Sequence, residues 1–256
     1  MSNRLEIWIS ILICCVPNTV MAQKVVQKDA QAVSVLTDSM SAMTVPGTTI
    51  QDAVLQGTIE MADGTVGTIV FENKGPNNVR REINLPNQQI ISVSEQGVGY
   101  SVIDGKREPS PLWMTAFDGP DYVPALSRIA SFAGSQTKVV YLGQEVVSGS
   151  PAFHVRLSAD TGTADPLEAQ ALELMSELHV YIDVKTKLVS RTQSFIFSPE
   201  TVSNRTAVDT YYANYQQVGG IMVPFRVMRS IMGQKMSDMV ITKVNINTGL
   251  LDSQFQ

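Results

Sequence analysis

The sequence predicts an α+β fold: one large, curved antiparallel sheet of about ten or eleven strands, covered by two or three helices. Three observations carry this expectation. Runs rich in β-branched residues, alternating with period two and bounded by turn residues, recur from residue 48 to residue 246. An early segment instead places its apolar residues at helical spacing. Several late strands are apolar on both faces, so the sheet must be covered on both sides or curl around a cavity.

The first element in chain order is a targeting segment. Arg4 supplies a positive start, Ile7 to Val16 form an apolar run broken only by Ser10, and Val20-Met21-Ala22 reads as a cleavage site. The run is about half the ~20 residues that span a bilayer. Residues 1–22 are therefore expected to be a signal peptide that is removed, leaving 23–256 as one domain. Cys14 and Cys15 both lie in that segment, so the chain from Gln23 onward contains no cysteine and no disulfide. The residues before each cysteine are poor matches to a lipid-attachment site.

Residues 29–44 follow as a helix, with Asp29 placed to cap it and Val33, Leu36, Met40 and Met43 on one stripe. Pro46-Gly47 ends it. Strands are expected at 48–61 and 65–72 about the Ala62-Asp63-Gly64 turn, then at 78–84, 89–94 and 97–103. Residues 105–120 are rich in Pro and Gly yet carry Trp113, Met114 and Phe117, which suits a loop that covers something. Residues 122–133 read as a second helix, with Val123, Leu126, Ile129 and Ala130 on one face. A hairpin at 138–147 and 152–158 turns about Ser148-Gly149-Ser150, and a short helix is expected at 166–176. Strands at 178–183, 188–197, 207–216, 221–232 and 235–246 complete the chain.

Composition narrows the chemistry. The chain has 256 residues, a net charge of −5, 44% hydrophobic and 17% charged residues, which describes a globular protein with room for a sizeable core. An acidic balance without a run of Lys or Arg argues against nucleic-acid binding. With only two histidines and two cysteines, metal clusters and most histidine- or thiol-based mechanisms lack their parts. His154 and His179 each alternate with apolar neighbours, which places them on the polar face of a strand. Glu168, Glu173 and Glu177 read as a solvated helix face, and Asp118 and Asp121 flank a Gly-Pro turn. A nucleophile elbow, a P-loop and a dinucleotide fingerprint are all missing. The richer signal is apolar: twelve methionines, with Met222, Met228, Met232, Met236 and Met239 in or beside late strands. Methionine adapts its shape, so such residues suit either a core or a cavity for a flexible apolar guest.

Over residues 178–255 the chain resembles the periplasmic lipoprotein-carrier family, the LolA/LolB-like outer-membrane lipoprotein-sorting proteins. The likeness rests on Val180-Tyr181-Ile182-Asp183-Val184-Lys185-Thr186-Lys187-Leu188-Val189-Ser190-Arg191, a strand, an Asp-x-x-Thr turn and a returning strand. It continues through Asp209 to Pro224, and it closes where Asn245-Ile246-Asn247 leads to Asp252-Ser253-Gln254-Phe255. The order of elements agrees over residues 29–255.

The resemblance implies an unclosed half-barrel whose concave apolar face, lidded by helices, holds acyl chains. It implies a non-enzymatic binding or carrier protein of the periplasm, without cofactor or metal. Its ligand would be an acyl chain of a lipid or lipoprotein destined for the outer membrane, with envelope membrane proteins as further partners and a monomeric carrier. Residues expected to line the ligand are Trp113, Phe117, Phe132, Phe153, Phe195, Phe197, Phe225 and Met228. The family's lid-governing arginine has three candidate positions, Arg80, Arg81 and Arg128. The alternative is an envelope-stress sensor or protein-interaction module that uses the same half-barrel.

Overall fold

The computed structural model describes residues 26–95, 98–110, 122–160, 162–163, 165–198 and 201–256. The expected signal peptide and the apolar loop carrying Trp113, Phe117, Asp118 and Asp121 lie outside the described residues. The elements are helix α1 (Ala30–Met43), strands β1 (Asp52–Met61), β2 (Val66–Lys74), β3 (Asn78–Leu85), β4 (Gln88–Glu95), β5 (Val98–Ile103) and β6 (Lys106–Ser110). Two 3-10 turns follow at Pro124–Leu126 and Arg128–Ser131, then β7 (Thr137–Val147), β8 (Ser150–Ala159) and helix α2 (Pro166–Met175). The chain continues as β9 (Leu178–Asp183), β10 (Val189–Ser198), β11 (Thr201–Val218), β12 (Ile221–Ile231) and β13 (Gln234–Ile246), and ends in a 3-10 turn, Asp252–Phe255.

All thirteen strands form one sheet in the order β6-β5-β4-β3-β2-β1-β13-β12-β11-β10-β9-β8-β7. Every neighbouring pair is antiparallel, and β6 and β7 are the two ends of an unclosed sheet. The chain therefore meanders from the centre to one edge, crosses to the other edge, and meanders back until β13 meets β1. Tight turns with positive φ at both central residues make several of the hairpins: Asp104-Gly105, Ser148-Gly149, Gly219-Gly220 and Met232-Gly233. This turn geometry matches the twist of the strands it joins. At the central seam the β1–β13 register shifts between Gln56 and Gly57. A Cβ on Gly57 would run into the Val240 carbonyl, so the two backbones approach closely there because that residue has no side chain. Such bulges bend the strands that carry them.

Helix α1 is capped by Asp29, whose carboxylate accepts from the Gln31 and Ala32 amides at 2.8 and 3.1 Å. Its buried stripe is Ala32, Val35, Leu36, Ser39 and Met43, with Val33 and Met40 half-buried against the core. The helix is tied at both ends to the sheet: the Asp29 amide donates to the Val139 carbonyl of β7, and the Val45 amide to the Gly220 carbonyl before β12, each at 2.8 Å. Fourteen helical residues span about 21 Å, and the five steps from β7 to β12 span about 24 Å, so α1 lies across the strands.

Two expectations need correction. Residues 122–133 are two 3-10 turns rather than one helix. Pro124 cannot extend a helix backward beyond its first turn, and Ser127 between the turns is extended, with its hydroxyl accepting from the Ile129 amide at 3.1 Å. The sheet has thirteen strands, and one of them, Lys106–Ser110, read as loop, pairs with β5 as an edge strand. Proline at position 109 is tolerated there because one side of an edge strand needs no partner.

Candidate functional site

Registry fixes which side chains share a face. Leu55, Ile59, Ile69, Phe71, Val79 and Ile83 from the first half lie on one face with Val155, Leu157, Val180, Ile182, Val223, Val227, Met239 and Ile241 from the second. All of these belong to one core cluster with α1 and with Tyr122, Val123, Ala125, Leu126, Ile129 and Phe132 of the crossing segment. Among the described residues, the apolar face is thus closed by α1 and by residues 122–132 of the connection between the two sheet edges.

Within this apolar layer sits a charged patch. Arg229 on β12 is 2% exposed, and its Nη1 donates to the Tyr122 hydroxyl at 3.3 Å. Arg81 on β3 turns to the same face, where its Nη2 donates to Ser92 Oγ at 3.2 Å. Burial alone would push the Tyr122 hydroxyl up, but the charges of Arg229 and Arg81 outweigh it and hold the phenol below its usual value. The Tyr122 ring packs against Phe71 with centroids 4.5 Å apart. Two cationic strands from opposite halves of the sheet therefore address one residue of the cover. Of the three candidate lid arginines, only Arg81 faces it. Arg80 turns to the opposite face and pairs with Glu72 and Glu82, while Arg128, in the second 3-10 turn, donates to the Ser176 carbonyl at 3.1 Å.

The aromatic residues expected to line a ligand divide between the faces. Phe132 belongs to the cover and lies in the core cluster, and Phe153 and Phe225, on the sheet, are half-buried against that cluster. Phe195 and Phe197 pair in register with Ala207 and Arg205, on the opposite face, and both are buried there. Met228 also turns to that opposite face, where with Tyr211, Ala213, Arg226 and Ser148 it lines an open pocket of about 380 Å³. Trp113 and Phe117 lie outside the described residues. The late strands read as apolar on both faces, and alternation within Phe195-Ile196-Phe197 and Phe225-Arg226-Val227-Met228 distributes them.

The opposite face carries a row of titratable groups that alternation alone did not join. His154 Nδ1 lies 2.7 Å from Glu145 Oε1, His154 Nε2 lies 2.6 Å from His179 Nδ1, and His179 Nε2 lies 2.6 Å from Glu177 Oε1. Glu177 also pairs with Arg205 at 3.1 Å. His154 stacks on Tyr181 at 4.2 Å, with Arg191 over the Tyr181 ring at 3.8 Å. Both histidines do lie on the polar side of their strands. Glu177, expected on a solvated helix face, is instead buried just before β9.

No family model matches this chain, and no curated protein matches its sequence. Solved structures do match its fold. An outer-membrane lipoprotein-sorting protein domain from Vibrio parahaemolyticus aligns over 88% of this chain and 96% of its own, with a TM-score of 0.51 and 10% identity. A LolA superfamily protein from Nitrosomonas europaea aligns over 88% and 97%, with a TM-score of 0.52 and 15% identity. A DUF1329 family protein from Desulfovibrio piger covers the same shares at a TM-score of 0.51 and 10% identity. The fold of this chain is LolA-like, as the resemblance in residues 178–255 implied.

Proposed function

We propose that this chain is a non-enzymatic periplasmic carrier for an apolar ligand, an acyl chain of a lipid or lipoprotein. One observation carries the reading: the broad apolar face of an unclosed sheet is covered by separate short segments, α1 and the 3-10 pair. These are held at a few points, among them Asp29 to Val139, Val45 to Gly220 and Arg229 to Tyr122. A cover with few attachments opens at lower cost than the sheet beneath it. Each acyl methylene transferred from water to such a face contributes about 0.8 kcal/mol, so a ten-carbon chain could bind without a polar anchor. A structure of the same fold that is described as a lipoprotein-sorting protein domain points the same way. In this reading Phe132, Phe153 and Phe225 would line the ligand, and Arg81 and Arg229 would sit near a polar end of it.

Native mass spectrometry with organic extraction, on protein purified from its own periplasm, tests this reading. Bound acyl species are expected in the natural chain. Phe225→Asp, on the covered face, should weaken uptake of a fluorescent fatty acid at least about tenfold. Met228→Gln, on the opposite face, should leave uptake unchanged. A clean mass without ligand, together with no fatty-acid uptake, would overturn the proposal.

A further inference from the structure

The face away from the cover holds the chain's only two histidines, and they touch each other. Three contacts in series, Glu145 to His154 to His179 to Glu177, measure 2.7, 2.6 and 2.6 Å. An ionised carboxylate only accepts, so each end contact needs an N–H from its imidazole. The central N···N contact needs one hydrogen more. Two neutral imidazoles bring two protons between them, and the row needs three. The complete row therefore carries two carboxylates and one imidazolium, and Arg205 beside Glu177 brings the group to neutrality. A fourth proton would point two N–H groups at each other across 2.6 Å.

We propose that Glu145, His154, His179 and Glu177 form a pH-sensitive latch that is complete with three shared protons and is broken by the fourth. Breaking it separates the His154 side chain of β8 from the Glu177–Arg205 link to β11 and uncovers the apolar ring of Phe195. Phe195 meets the His179 ring edge-on at 5.8 Å and lies under Arg205 at 3.9 Å, so one member of the latch and the arginine paired with Glu177 both contact its ring.

The surroundings oppose the fourth proton. Burial is the main cause that lowers the His154 pKa, and the positive charge of His179 adds to it, with Arg191 contributing less; Glu145 acts the other way. Burial pushes the Glu177 carboxyl up, but hydrogen bonds from His179 and Arg205 outweigh this and hold it below its ordinary value. The charged and titratable groups on this face of β7 to β11 include Glu145 from β7, Arg156 from β8, Tyr181 and Asp183 from β9, Arg191 from β10, and Arg205, Asp209 and Tyr211 from β11. Lys138 of β7 ties Glu173 of α2 to the same side at 2.7 Å. For the fourth proton the sign follows from the lowered His154 value: the unfolded chain takes up this proton first as pH falls below about 6.5. This part of the stability is therefore lost as pH falls through the folded His154 pKa, while loss of the third proton on the alkaline side also leaves the row incomplete.

Because the protein has two histidines, imidazole nitrogen resonances of the full chain, labelled with ¹⁵N-histidine, report only on this pair. Between pH 8 and 4 the two rings are expected to titrate as a coupled pair, in two steps more than about one pH unit apart. The lower step should coincide with amide shifts in residues 145–159 and 177–183 and with a rise in binding of a hydrophobic dye. His179→Gln should abolish the coupling and move the dye transition. Glu145→Gln, at the half-exposed end, leaves the buried members in place and should move the lower step to still lower pH. Two independent titrations near pH 6.5, or a lower step without amide or dye changes, would overturn the latch. So would a Glu145→Gln variant whose lower step stays in place or rises. The outcome is independent of ligand uptake on the other face.

Discussion

The Arg229 guanidinium and the Tyr122 hydroxyl, 3.3 Å apart, join a central strand of the sheet to the segment that crosses from one sheet edge to the other. Both residues are almost wholly buried, at 2% exposure each. The two guanidinium charges favour the Tyr122 phenolate more than burial disfavours it, and the hydroxyl is a polar fastener inside an apolar layer. Tyr122→Phe removes the acceptor and keeps the ring. It should lower stability by about 1–3 kcal/mol, read as a lower urea midpoint at unchanged slope. An unchanged midpoint would show that the ring alone holds the segment.

Asp29→Ala removes the carboxylate that accepts from the Gln31 and Ala32 amides. A loss of about 1 kcal/mol is expected. Amide exchange should quicken first in the opening turn of α1, because that end is also the point of attachment to β7.

Gly57→Ala places a methyl group against the Val240 carbonyl at the central seam. The obstacle is backbone, which cannot swing aside as a side chain can. A destabilisation of about 1–3 kcal/mol is expected from thermal unfolding. The same substitution at Gly64, in the open β1–β2 turn, meets no neighbouring atom and is strained only by its positive φ, so it should cost less.

Asp52 anchors the C-terminal segment by accepting from Thr248 N, Thr248 Oγ1, Gly249 N and Leu250 N. Burial raises its pKa, while the hydrogen bonds from Thr248, Gly249 and Leu250 together lower it further than burial raises it. Its contribution is therefore present above the ordinary carboxylate value and is lost as pH falls through the lower, folded value. Asp52→Asn should release residues 248–256 at neutral pH. Carboxypeptidase trimming would detect this as faster loss of Gln256 and Phe255, and acidification of the natural chain should reproduce it.

Local pattern made much of the fold legible. The stripe and cap of α1, the hairpin turns with glycine at the second central position, and the period-two runs each depend on neighbours in sequence. The second helix was misread because Val123, Leu126, Ile129 and Ala130 keep helical spacing, yet Pro124 and Ser127 divide the segment into two tight turns. The division of the site between faces was hidden for another reason. Where both faces of a strand are apolar, hydropathy cannot say which of Phe195 and Ile196, or of Val227 and Met228, meets the cover. Pairing with distant strands decides it. The same holds for His154 and His179: their contact depends on the β8–β9 register, which sets His154 opposite Tyr181 and Arg156 opposite His179. Arg229 and Tyr122 also come together only in three dimensions.

The place of β1 beside β13 bears on how the molecule assembles. Each half of the sheet is a succession of hairpins between near neighbours in sequence, which close quickly. The seam that joins them pairs Ala53 with Ile246 and Met61 with Ser237, near the two ends of the strand region. Contacts so far apart in sequence close slowly. The two half-sheets can therefore form early, each with a bare inner edge, and wait for the last strand to emerge before they zip together. During that interval β1 is the strand most open to mispairing with another copy. Slow release of the C-terminal strand, whether from a ribosome or a translocation pore, would prolong that exposure.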